Sequence, residues 1–123
     1  MPVSHHFDSN IVVIEMIGEY SVKDLRTVII NSFADPLCPK NPILMIDLGR
    51  SKSIYERSSQ TINAMAAFIA TYGKKFNNRL ALVAPDDLTF GLMRMSSVSA
   101  DSFGVDVIIF RTYNEARKWL INK

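Results

Sequence analysis

Five charged residues stand where strands should end: Asp47 after the apolar run Ile43 to Ile46, Arg50 just beyond it, Asp86 and Asp87 after Leu80 to Ala84, and Arg111 after Val105 to Phe110. Open α/β sheets take ligands in the crevice outside the carboxyl ends of their strands. Carboxylates and guanidiniums gathered there could orient a polar molecule or move protons. The plainer use of the same residues is structural. Asp86 or Asp87 can cap the helix that follows, and Asp47 can anchor its loop through bonds to the backbone. The sequence favours this plainer use.

A second group is Arg50, Lys52 and Arg57, placed ahead of Ser58 and Ser59. If a helix begins at Ser58, its free amides, its dipole and the neighbouring cations could hold a phosphate or carboxylate. A solvated basic loop accounts for the same composition. Metal chemistry has little to work with. His5, His6 and Cys38 are the only nitrogen and sulfur donors of metal-binding type, and a zinc site needs three or four ligands. No metal and no cofactor are expected. Acyl transfer is equally unsupported, since there is no G-x-S-x-G elbow and no base near Cys38 in the sequence. Glu15 interrupts an apolar strand, where it either faces water or sits in a pocket with a raised pKa. A wet face of an antiparallel edge strand is the expectation.

The elements that must position these groups follow from hydrophobic period and stop signals. Asp8-Ser9-Asn10 reads as the turn of a hairpin, with Ile11 to Ile17 as its second strand, ended by Gly18. Ser21 can cap a helix that carries Val22, Leu25, Ile29 and Phe33 on one face and stops at Asp35-Pro36. Ile43 to Ile46 is a short buried strand closing on Asp47, and Gly49 to Arg57 reads as a polar loop. Ile62, Met65, Ile69, Tyr72 and Phe76 form the stripe of a long helix, with Ser58 as N-cap or with a start one turn earlier at Ser53 and Glu56. Leu80 to Ala84 is a strand, Pro85-Asp86-Asp87 opens a helix through Ser102, and Gly104 closes it. Val105 to Phe110 is the last strand, and Thr112 with Glu115 forms a capping box for a final helix carrying Ala116, Trp119 and Leu120. Repeated strand-helix-strand crossovers imply an α/β domain with a mostly parallel sheet of four or five strands, about four helices and an antiparallel N-terminal strand. Trp119 is expected to be largely buried.

Composition agrees with one domain over residues 1–123. The chain is 48% apolar and 21% charged, enough to build a single core. Fourteen basic and twelve acidic residues leave a net charge of +2, too little for a nucleic-acid binder unless concentrated on one face. The longest apolar run is far too short for a membrane span, and the N-terminal residues have no secretion-signal pattern. With Cys38 as the only cysteine, a cytoplasmic location is the expectation. Met93 and Met95, with Phe90 and Leu92, put apolar groups around most of one helix, which suits contact with a second subunit as a homodimer.

Asp47 at a strand end, Arg57-Ser58-Ser59 at a helix start, Leu80 through Leu88, Gly91 through Met95, and Phe110-Arg111 leading to Ala116 through Leu120 together resemble small bacterial SpoIIAA-like, or STAS, proteins. The resemblance implies a regulatory or protein-interaction module rather than an enzyme. In anti-sigma-factor antagonists of this group an Asp-Ser-Ser/Thr-Gly motif is phosphorylated. Here the matching stretch is Arg57-Ser58-Ser59-Gln60, with Arg57 in place of the acid and Gln60 in place of the glycine. The expected function is non-enzymatic, working through a protein partner or a small anion. Two alternatives stand beside it. One is a carrier of a small hydrophobic ligand or lipid, similar to Sec14, with Tyr20, Tyr55 and Phe90 around a cavity. The other is an uncharacterised enzyme using Asp47 and Glu15, which requires those carboxylates to share a face.

Read as an N-cap, Ser58 makes a definite prediction. Ser58→Ala should cost about 1 kcal/mol, while Ser58→Asp, which still caps, should be nearly neutral. Thermal unfolding of the two variants checks this, and stoichiometric phosphate on Ser58 or Ser59 in protein from the native host would assign the loop to regulation instead.

Overall fold

Ile11, Val12, Val13 and Ile14 are each at most 1% exposed, so successive side chains of one strand are buried on opposite faces of a sheet. A computed structural model of the chain describes residues 3–18, 22–51, 67–85, 91 and 104–121. Strands β1 (Val3–Asp8) and β2 (Ile11–Gly18) form an antiparallel hairpin, and Ser9 at its turn takes the left-handed conformation, φ 57°. Strands β3 (Ile43–Ser51), β4 (Arg79–Val83) and β5 (Asp106–Phe110) then add in parallel, in the order β1-β2-β3-β4-β5. This is the mostly parallel sheet with an antiparallel first pair that the sequence implies.

The twofold period of the strands divides the apolar residues between two cores. Val12, Ile14, Leu44, Ile46, Leu80 and Leu82 face helix α1 (Val22–Ala34), which contributes Leu25, Val28 and Ile29, and the stretch holding Ile69 and Phe76. Ile11, Val13, Ile43, Met45, Ala81 and Val83 face the opposite way, onto Ala116 and Leu120 of helix α2 (Tyr113–Ile121). Three helices have both ends among the described residues: α1, α2 and the 3-10 helix Gly73–Phe76. Residues 67–71 and Gly91 are also helical. The helix expected through Tyr72 and Phe76 therefore tightens into a 3-10 turn at its end. A Cβ at Gly73 would meet the end of the exposed Asn78 side chain, which would have to turn away. Asn77 and Asn78 both take left-handed φ, which asparagine tolerates better than other side chains.

Three expectations are corrected. Strand β3 does not close on Asp47 but runs four residues further, to Ser51, so Asp47 and Arg50 lie within it. It does so through a bulge. Glu15 is level with Asp47 and Ile17 with Arg50, so β3 carries one more residue than β2 over this span, and Gly49 lies in it. Glu15 does not sit on a wet edge. Strand β2 is paired on both sides, its neighbours Val13 and Met16 are buried, and Glu15 itself is half-buried. Trp119 is half-buried rather than largely buried. The Arg79 guanidinium lies 4.6 Å from its ring centroid and the Phe110 ring 5.9 Å away.

The capping box of the last helix forms as read. The Glu115 amide donates to Thr112 Oγ1 (3.2 Å), and that hydroxyl donates to Glu115 Oε1 (3.0 Å). At the other end of α2, Arg79 donates to the carbonyls of Leu120 (3.1 Å) and Trp119 (2.8 Å). These carbonyls have no partner within the helix, and the cation also suits the negative end of the helix dipole. Because Trp119 keeps one side partly wet, Trp119→Ala should cost about 2 kcal/mol, less than the 3–5 typical of a fully buried tryptophan. Urea unfolding of the variant measures this directly.

Candidate functional site

Parallel register decides which polar side chains can meet. Glu15 is level with Asp47, Asp47 with Val83, and Val83 with Phe110; on the other side Glu15 is level with Ser4. One row thus crosses all five strands near the carboxyl ends of the parallel ones, on the face that α2 covers. It is polar at Ser4, Glu15 and Asp47 and apolar at Val83 and Phe110. The two carboxylate-bearing residues sit on adjacent strands, roughly 4.8 Å apart along the hydrogen-bonding direction, and both are half-buried. The shared face that an acid-base pair requires is therefore present.

The other strand-end candidates separate. Arg111 follows β5 directly, and its Nη1 donates to the Pro85 carbonyl (3.3 Å) while the Ala84 amide donates to the Phe110 carbonyl (2.8 Å). It ties the ends of β4 and β5 together. Arg50 is a residue of β3, level with Ile17. Asp86, Asp87, Lys52, Arg57, Ser58 and Ser59 lie outside the described residues, as do Tyr20, Tyr55 and Phe90 of the carrier alternative and Met93 and Met95. Among the described residues no group of three or more acidic, histidine or cysteine side chains is placed to hold a metal ion.

Two polar clusters arise that the sequence does not announce. The Asp8 carboxylate accepts from the Tyr113 hydroxyl (2.6 Å) and from Arg117 Nε (2.9 Å), joining the end of β1 to α2 across more than a hundred residues. The Arg117 guanidinium, the Tyr113 hydroxyl and nearby His6 hold Asp8 below the ordinary carboxylate range despite some burial. Burial, the bond to Asp8 and the charges of Asp8 and Asp47 push the Tyr113 phenol up to about 12. Tyr113 therefore reaches the hairpin end. Nothing local marks the cluster, because Asp8 reads only as a turn residue and its partners lie on the last helix.

The second cluster is at the other face. His5 Nε2 and Asp35 Oδ2 are 3.1 Å apart, and Asp35 also accepts from the Leu37 amide (2.9 Å). The Leu37 amide and then His5 lower the Asp35 pKa. The Cys38 amide donates to the Asp35 carbonyl (2.9 Å), so the carboxylate that pairs with His5 of β1 stands on the cysteine's own loop, which the sequence does not suggest. The thiol is nonetheless unsuited to attack. Burial and the Asp35 charge push its pKa up, against a weaker pull from Lys75, and a thiol must ionise to be a nucleophile.

The Asp8 tie gives a pH dependence with a definite sign. A depressed carboxylate contributes stability that is fully present above its unfolded pKa, about 3.9, and is lost as pH falls through the folded value. Asp8→Asn should cost about 1 kcal/mol near pH 7, a charge-assisted bond discounted for partial exposure. The gap to the native chain should close on acidification. Tyr113 has the opposite window: its raised pKa favours the neutral phenol, so its contribution is intact below about pH 10 and lost as pH rises towards 12. Tyr113→Phe should remove a component ionising near pH 12 from the tyrosine absorbance titration.

No family model and no curated protein matches the chain. Among solved structures, it is similar to an uncharacterised protein of the DUF3478 family from Shewanella loihica PV-4, described as having a SpoIIAA-like fold. The match covers 96% of this chain and 91% of that one, with a TM-score of 0.59 and 13% sequence identity. At that identity the likeness bears on the arrangement of the backbone. Together with the five-stranded sheet and its antiparallel first pair, it gives the conclusion that this chain has a SpoIIAA-like fold.

Proposed function

We propose that this domain is a non-enzymatic regulatory or protein-interaction module that works through a second protein, a second copy of itself, or a small anion. The observation supporting this is the use made of the polar groups. Asp8 joins β1 to α2, Asp35 joins β1 to the loop after α1, Arg79 closes α2, and Arg111 joins the ends of β4 and β5. Groups spent on holding elements together make a rigid scaffold, which is what surface recognition needs.

A second reading has its own observation. The level placement of Glu15 and Asp47 on one face favours an enzyme in which these two carboxylates act as acid and base. Its test is a turnover, found by incubating the chain with a small-metabolite extract, that Asp47→Asn and Glu15→Gln each abolish.

Native mass spectrometry of the protein purified from its own host tests the leading reading. The expected spectrum shows a species heavier than the 13.9 kDa monomer by a whole second chain or by a discrete anion. A bare monomer would overturn the proposal. A stoichiometric apolar adduct would also overturn it and assign the domain to ligand carriage. No helix among the described residues is long and apolar enough to cross a membrane.

A further inference from the structure

Helix α1 buries Leu25, Val28, Ile29 and Ser32, and the flank beside that face carries Arg26, Ile30 and Phe33. That flank borders residues 67–76. Phe33 stacks on Tyr72 (6.3 Å) and Phe76 (6.2 Å), and the Arg26 guanidinium lies 5.3 Å over the Phe68 ring. Ile30 is one turn beyond Arg26 on the same side of the helix and is 46% exposed. Past the helix end, the Asp35 side chain fixes the Leu37 amide, and Leu37 stands 79% exposed. Ile30 and Leu37 are the two most exposed large apolar side chains among the described residues.

The rim has one dominant sign. Over residues 22–42 and 67–78 the charged side chains are Lys23, Arg26, Lys40, Lys74 and Lys75 against Asp24 and Asp35, and Asp35 is engaged by His5. Five cations against two carboxylates is +3, more than the +2 of the entire chain, so the positive charge is concentrated here. Two copies meeting through this surface would set like charges against each other, which disfavours self-association.

Resting on the interaction reading above, we infer that the surface between α1 and residues 67–76 docks an acidic amphipathic segment of a partner protein. Its apolar stripe would lie on Ile30 and Leu37, and its carboxylates would face Arg26, Lys40 and Lys75. An amphipathic segment with carboxylates beside an apolar stripe complements a basic surface that holds out apolar side chains.

A photo-crosslinking residue placed at Leu37 in the full chain, expressed in the native host, tests this, with the same residue at exposed Lys118 on α2 as the control. The expected product joins position 37 to a segment of a different protein that carries carboxylates beside an apolar stripe. A Lys40→Glu, Lys75→Glu double variant should cut that yield by about tenfold. The inference is overturned by a crosslink to a second copy, to lipid or to a segment without carboxylates, by a yield no higher than at position 118, or by indifference to the charge reversal. A crosslinked partner found only at position 118 would defeat this surface and leave the interaction reading standing. A bare monomer in the native mass spectrum would defeat that reading itself.

Discussion

The middle of the sheet has no wet side, and most of the structure follows from that. Strands β2, β3 and β4 send alternate residues into two separate cores, so their backbone groups must be satisfied by neighbouring strands and both faces must be covered. Helix α1 covers one face and α2 the other, each giving only its apolar stripe. The outer strands are where water enters: Ser4 and His6 on β1 and Asp106 and Ile108 on β5 are exposed. The polar row at Glu15 and Asp47 lies where the covered face gives way to the strand ends, and its residues are half-buried for that reason.

Apolar burial sets which face each helix covers, but it is nearly indifferent to small rotations and slides of a helix on the sheet. Directional bonds settle those. Asp8 takes hold of α2 by Tyr113 and Arg117, and Arg79 takes hold of its far end through the carbonyls of Trp119 and Leu120 while stacking on Trp119. On the other face the Asp35 carboxylate spans His5 of β1 and the amide of Leu37. The hairpin edge is thereby fastened to both layers, one tie per face. Each tie uses a charged group that keeps some access to water, which limits the desolvation it must bear.

These ties also shape what is left for recognition. Charges drawn into struts no longer define the surface, while Lys23, Lys40, Lys74 and Lys75, all exposed, do. Beside Ile30 and Leu37 they give one side of the molecule a basic and apolar character that the whole-chain balance of +2 conceals.

Local and periodic information was enough for the order of the described elements. The β-branched run Ile11 to Ile14, the Thr112 and Glu115 box and the stop at Asp35-Pro36 each act within a few residues, and the structure uses all three as read. What required the tertiary structure is whatever depends on register or on distant pairing. The extra residue in β3 appears only against β2, and without it Asp47 looks like the end of a strand. Glu15 looked like an edge residue because sequence cannot show that its strand is paired on both sides. Asp8 meets Arg117 over 109 positions, a contact with no local signature. The shared face of Glu15 and Asp47 is likewise a product of parallel pairing between strands 32 positions apart in register, from Glu15↔Asp47 and Val13↔Met45 alike, where the twofold alternation turns register into sidedness.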